Sequence, residues 1–231
     1  MTGALPALPL TDITEPATVR LIPTAYHKPP VLSPIVDTDE ERAILEQIEG
    51  LTSARQKAER SGLSALDARE LAYGVWGASY INAAFTYTRS EGNRFNDGSR
   101  GAWYCAFEDL TAIEEVAFHR TRELSRIGVF EDEAIYQSLL AGFIGEFHDA
   151  RDLPRGESIL GDDPERAYPL GQELASALRA EGGRGIIYPS VRNPKGTCLV
   201  AFHPQIVQNV RLGARWKIIW DGSPEYIVEG D

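Results

Sequence analysis

Ser90-Glu91-Gly92-Asn93-Arg94-Phe95-Asn96-Asp97-Gly98-Ser99-Arg100-Gly101 runs directly into Ala102-Trp103-Tyr104-Cys105-Ala106. Three glycines and two asparagines give the first part the backbone freedom of a turn-rich loop. The aromatic-rich run after it reads as a strand. Next, Thr111-x-x-Glu114 reads as a capping box for a helix in which Leu110, Ile113, Val116, Ala117 and Leu124 recur at helical spacing until Gly128 ends it. Loop, strand and helix thus follow one another within about thirty residues.

Upstream, seven of the fourteen prolines lie between residues 6 and 34, which predicts extended, irregular chain, with Val19-Arg20-Leu21-Ile22 as one short strand. Thr38-x-x-Glu41 ahead of Ile44, Leu45, Ile48 and Leu51 predicts a helix starting near Asp39, and a second helical pattern runs from Ala65 to Tyr80 despite Gly74 and Gly77. Downstream, the apolar residues from Ala134 to Phe147 fit both a helical stripe and a buried strand, and strand is preferred. Residues 149 to 167 read as a polar connector and Leu170 to Leu178 as a helix stopped at Gly182-Gly183. Gly185 to Tyr188, Cys198 to Phe202, Ile206 to Leu212 and Trp216 to Trp220 read as strands. Helices and strands segregate without regular alternation. The expectation is a single α+β domain with mixed or antiparallel sheets and flanking helices.

The chain has 231 residues and a net charge of −11, from 34 acidic and 23 basic side chains, with no block of Lys or Arg. That balance argues against direct nucleic-acid binding, which needs cations to displace phosphate counterions. No apolar run approaches the roughly 20 residues that cross a bilayer, and the first residues lack the pattern of a secretory signal, so a soluble, cytoplasmic protein is expected. Cys105 and Cys198 sit in apolar strands, where buried, inert thiols are expected. His27, His119, His148 and His203 are dispersed, so no metal site is expected. No Gly-x-Gly-x-x-Gly follows a strand, no phosphate-binding Gly-x-x-x-x-Gly-Lys-Ser/Thr occurs, and Ser190 is outside any Gly-x-Ser-x-Gly.

What remains is the loop-strand-helix unit, which places an arginine, an aromatic hydroxyl and a carboxylate close together in sequence. Arg94 is suited to grip a pyrophosphate, Tyr104 to stack on a flat heterocycle and Glu115 to steady a developing positive sugar. Each has a plainer reading: a solvated loop charge, a core aromatic and an exposed helix residue like its neighbour Glu114, itself read as the capping-box glutamate. Spacing leaves both sets open.

The segment from Gly92 to Gly98 through Trp103-Tyr104-Cys105-Ala106, followed by Ala112-Ile113-Glu114-Glu115-Val116-Ala117-Phe118-His119, resembles the central motif of the RES-domain toxins. Tyr188-Pro189-Ser190-Val191-Arg192 and Leu199-Val200-Ala201-Phe202-His203-Pro204 resemble the same family's Pro-Ser element and its following strand, and Arg20 resembles its early arginine. The resemblance implies an ADP-ribosyltransferase-like fold and a type II toxin that consumes NAD+, with its active site covered by a cognate Xre/ParS-type antitoxin. It also implies roles: Arg20 and Arg94 on the NAD+ phosphates, Tyr104 on the nicotinamide side, Glu115 as catalytic carboxylate, and Ser190 orienting the substrate.

On this reading the chain divides into an extended segment at 1–36, a helical insertion at 37–91 and a RES core at 92–231, one RES domain spanning about 15–231. The insertion resembles the longer, ParT-like members, while Phe95 stands where many members carry tryptophan. The expected activity is mono-ADP-ribosyl transfer, with a protein acceptor favoured over hydrolysis or phosphorolysis of NAD+. A non-enzymatic partner-binding domain is the second class. An RNA-cleaving toxin is opposed by the acidic balance and the missing histidine pair.

Overall fold

The spine of the molecule is a strand of 19 residues, Glu131–Asp149, in the computed structural model, which describes residues 5–24, 66–154 and 158–230. The strands are β1 (Leu10–Pro23), β2 (Trp103–Ala106), β3 (Glu131–Asp149), β4 (Gly185–Pro189), β5 (Thr197–Ala201), β6 (Gln208–Asp221) and β7 (Tyr226–Gly230). The helices are α1 (Ala78–Thr86), α2 (Asp109–Ile127) and α3 (Pro164–Ala180). All seven strands join one mixed sheet in the order β1-β2-β5-β4-β3-β6-β7, and β1 also pairs with β3. These pairings close a ring through β1, β2, β5, β4 and β3. Only β3 and β4 run parallel, where His148 and Asp149 meet Ile186 and Ile187. The result is the expected single α+β domain, consistent with an ADP-ribosyltransferase-like fold.

β1 corrects the expectation of irregular chain with one short strand. It pairs antiparallel with β3 from Leu10↔His148 to Pro23↔Tyr136. Pro16 is tolerated because the register shifts between Glu15 and Thr18, a bulge where a missing N–H breaks no ladder.

The helix expected over Ala65 to Tyr80 is also corrected. Gly74 and Gly77 adopt left-handed backbone, with φ of +67° and +81°, and α1 begins only after Gly77. The helix expected from Asp39 lies outside the described residues, as does much of the 37–91 insertion.

α2 starts at Asp109, two residues before Thr111, so the capping box is absent. Thr111 Oγ1 donates to Glu108 Oε2 at 2.8 Å instead, and Glu114 accepts from the Tyr226 hydroxyl at 2.6 Å. Gly128 closes the helix at φ +77°, as expected. α3 begins six residues before Leu170, with Pro164 in its first turn and the Asp163 side chain accepting from Glu165 N at 3.0 Å. β6 is one strand rather than two, because Gly213 lies close against Ser138 and Leu140 of β3, where the lack of a side chain lets the ladder continue. β7 was not expected.

Alternate residues of β2, β4 and β5 feed two cores. Ala106, Ile186, Cys198 and Val200 pack with Ile113 and Ala117 of α2 and Leu174 of α3. Trp103, Cys105, Ile187 and Leu199 pack with Leu139, Phe143 and Phe147 of β3 and with Ile81 and Phe85 of α1. Each large side chain so buried contributes about 1.5–3 kcal/mol. Among the described residues no helix is long and apolar enough to cross a membrane.

Candidate active site

The loop before β2 is a rigid turn built around Asn96. Its amide nitrogen donates to Thr88 Oγ1, Asp97 O and Arg100 O at 2.9–3.0 Å, and its Oδ1 accepts from the Tyr104 hydroxyl at 2.8 Å. Asn93 N donates to Asn96 O at 2.8 Å to close the turn. Gly92, at φ +71°, approaches so near that a Cβ there would lie 2.1 Å from Asn96 O. The turn presents Arg94, which is not the solvated charge of the plainer reading. Only 7% exposed, its Nη1 donates to Ile159 O at 2.5 Å and Gly161 O at 3.2 Å, and its guanidinium carbon lies 5.2 Å from the centre of the Tyr168 ring.

Tyr104 is pinned at its hydroxyl from two sides, donating to Asn96 and accepting from Phe95 N at 2.9 Å. Burial raises its pKa, so it stays a neutral phenol. Arg20 reaches across from β1: Nη1 donates to Tyr104 O at 3.0 Å, and its guanidinium lies 5.1 Å from the Trp103 ring centre. Desolvation lowers the Arg20 pKa, yet a guanidinium starts so high that it remains charged.

Glu115 sits in the second turn of α2. Its Oε1 accepts from Ser190 Oγ at 2.6 Å and lies 3.9 Å from Cys198 Sγ. Ser190, fully buried after β4, is held as tightly: Arg192 N and Asn193 N donate to Oγ at 3.1 and 2.9 Å. With its lone pairs occupied, the hydroxyl proton is directed at Glu115. The turn is pressed against α2, since a Cβ on Gly196 would lie 2.2 Å from Thr111 Oγ1.

Arg20, Arg94, Tyr104 and Glu115 line one cavity of about 820 Å³, within the roughly 300–1,000 Å³ of pockets that enclose cofactors. Ser190 is joined to this wall through its hydrogen bond to Glu115. Cys105 and Cys198 are buried, and burial pushes their thiols up, Cys105 to about 12, so both are unreactive.

The wall also holds residues outside the expected site set, His119 and Tyr168 among them. His119 lies one turn beyond Glu115 on the same face of α2. Burial, reinforced by Arg89, Arg192 and Arg122, lowers its pKa to about 4 and keeps it neutral. Its spacing from Glu115 was a usable signal. Tyr168 had none, because it falls between the polar connector expected at 149–167 and the helix expected from Leu170, where α3 already runs.

Comparison with known proteins adds two findings. The family model described as the RES domain matches residues 71–221. The chain is also 28% identical over 205 residues to the uncharacterized protein y4oC of Sinorhizobium fredii, covering 88% of this chain and 83% of that one.

Proposed function

Since the chain belongs to the RES-domain family, we propose that it is the toxin of a type II toxin–antitoxin system and that it cleaves NAD+, transferring ADP-ribose to a protein. One observation carries this reading. Two arginines, an aromatic ring and a carboxylate held by a buried serine, drawn from β1 and from the loop, strand and helix that follow one another after Ser90, meet on the wall of one cavity.

The donor set suits the substrate. Arg20 and Arg94 supply fixed positive charge for the pyrophosphate, and Tyr104 supplies a flat, neutral face for the nicotinamide. Breaking the nicotinamide–ribose bond develops positive charge on the sugar. Glu115, held by Ser190 in a partly buried setting, stabilises that charge through space. Nicotinamide departs as a neutral molecule from a cationic ring, so no general acid is needed. Holding the pyrophosphate still keeps C1′ of the ribose near the carboxylate and lowers the entropic part of the barrier. The acceptor then bonds to C1′ and gives up its proton. A cognate Xre/ParS-type antitoxin would silence the protein by covering the cavity mouth.

The test is incubation of the purified protein with NAD+, with and without cell extract. Nicotinamide release and an ADP-ribose mass added to an extract protein are expected. NAD+ loss without a labelled protein moves the reading to hydrolysis or phosphorolysis, and no nicotinamide in either condition overturns it.

A further inference from the structure

Arg94 is held by more than its own turn. Helix α3 and the chain leading into it grip the loop at five points. Ile159 O and Gly161 O accept from Arg94 Nη1, and Gln172 Nε2 donates to Glu91 O and Asn93 O, both at 2.9 Å. Gly171 packs so closely that a Cβ there would lie 2.2 Å from Arg94 O. Within this grip the Tyr168 ring centre lies 5.2 Å from the guanidinium carbon, and Tyr168 also lines the cavity.

The phenol of Tyr168 differs from that of Tyr104. Tyr104's hydroxyl is saturated by Phe95 N and Asn96, whereas Tyr168's has no hydrogen-bond partner among the described residues. A half-buried hydroxyl on a cavity wall beside an arginine is a donor in want of an acceptor. Nη1 is the one Arg94 nitrogen engaged by the described residues, so the guanidinium retains donors for a ligand. Burial raises the Tyr168 pKa despite the opposing charges of Arg94 and Arg192, and the group stays a protonated donor at physiological pH.

We propose that Tyr168 is a substrate-binding residue, its ring seating the Arg94 guanidinium and its hydroxyl donating to the same phosphate oxygens that Arg94 binds. The inference rests on the NAD+ reading and deepens it. Together the two residues form an anion clamp for a dinucleotide pyrophosphate, and the ring fixes the plane in which the guanidinium presents its free edge.

The experiment compares wild type, Tyr168→Phe and Tyr168→Leu by nicotinamide release and by calorimetric binding of ADP-ribose, after matching thermal melts. Tyr168→Phe removes only the hydroxyl and is expected to raise KM and weaken ADP-ribose binding roughly tenfold, the scale of one hydrogen bond to a charged group, with kcat changed less than about twofold. Tyr168→Leu also removes the seat of Arg94 and is expected to weaken binding further, so that Phe restores part of what Leu loses. Both variants binding ADP-ribose like wild type, with wild type releasing nicotinamide, would overturn the clamp and leave the NAD+ reading intact. Wild type that neither binds ADP-ribose nor releases nicotinamide overturns both.

Discussion

The Ser190 hydroxyl donates to Glu115 Oε1 across 2.6 Å, joining the turn after β4 to helix α2 over 75 positions of sequence. With Arg192 N and Asn193 N filling the serine's acceptor sites, the bond fixes one carboxylate oxygen of a residue that lines the cavity.

Two substitutions separate the partners. Glu115→Gln removes the charge and is expected to lower kcat for nicotinamide release at least roughly 10²–10³-fold, and to abolish growth inhibition in cells. Ser190→Ala leaves the charge but frees it, and strands two backbone N–H groups. A kcat loss of roughly 10- to 100-fold is expected with little change in KM, and an unfolding free energy lowered by about 1–3 kcal/mol in chemical denaturation. A growth effect that survives Glu115→Gln would point to a partner-binding domain instead of an enzyme.

Arg94→Lys keeps the charge but loses the planar fork that meets Ile159 O and Gly161 O and lies over Tyr168. KM for NAD+ is expected to rise at least roughly tenfold, read from initial rates over a range of NAD+ concentrations.

The cavity gathers Arg20, Arg89, Arg94 and Arg120 in a chain of net charge −11, with Arg89 and Arg120 paired to Glu123 and Asp132 and Arg20 and Arg94 outside any ion pair among the described residues. Attraction for an anionic substrate is therefore local and open to screening. Raising ionic strength from about 0.05 to 0.5 M shortens the Debye length severalfold and is expected to raise KM while kcat stays nearly constant.

His119 makes stability depend on pH. Its imidazole titrates near 6.5 when unfolded and at about 4 in the fold. Between those values the unfolded chain binds a proton that the folded chain refuses, so stability falls as pH drops from 6.5 to 4 and gains no further loss from this group below that. The full effect is at most about 3 kcal/mol. Asp149, held down to about 2 by Arg151, titrates below this window and loses its contribution there. Thermal melts from pH 7 to 4 are expected to show a smaller decline for His119→Gln than for wild type.

Asn96→Ala removes three donated bonds and the acceptor of the Tyr104 hydroxyl at one stroke. A loss of roughly 2–4 kcal/mol by chemical denaturation is expected, together with loss of nicotinamide release.

The loop-strand-helix unit was readable because glycine, asparagine and aromatic residues report local backbone demands, and β2, α2 and the stop at Gly128 follow from them. β1 was only partly readable: proline frequency signals extended chain, but the pairing with β3 that makes it a strand is a contact across the whole domain. Gly213 misled for a related reason, since closeness to Ser138 is a tertiary fact. The convergence of Arg94, Tyr104 and Glu115 on one cavity was legible as a resemblance and not as spacing. Ser190's action through Glu115 and Tyr168's place beneath Arg94 depend on orientations that linear order does not encode.

The closed ring of strands also decides when such a cavity can exist. β1 precedes the other strands in the chain, but Thr18 meets Ala141 only 123 positions later, and β4 and β5, which complete the ring, come after that. A nascent chain therefore leaves the ribosome with its pocket unmade until Ser190 and the strand beyond it have emerged. Any reaction that needs the walls of this cavity therefore waits on the strands that bring Tyr188 and Cys198 to it.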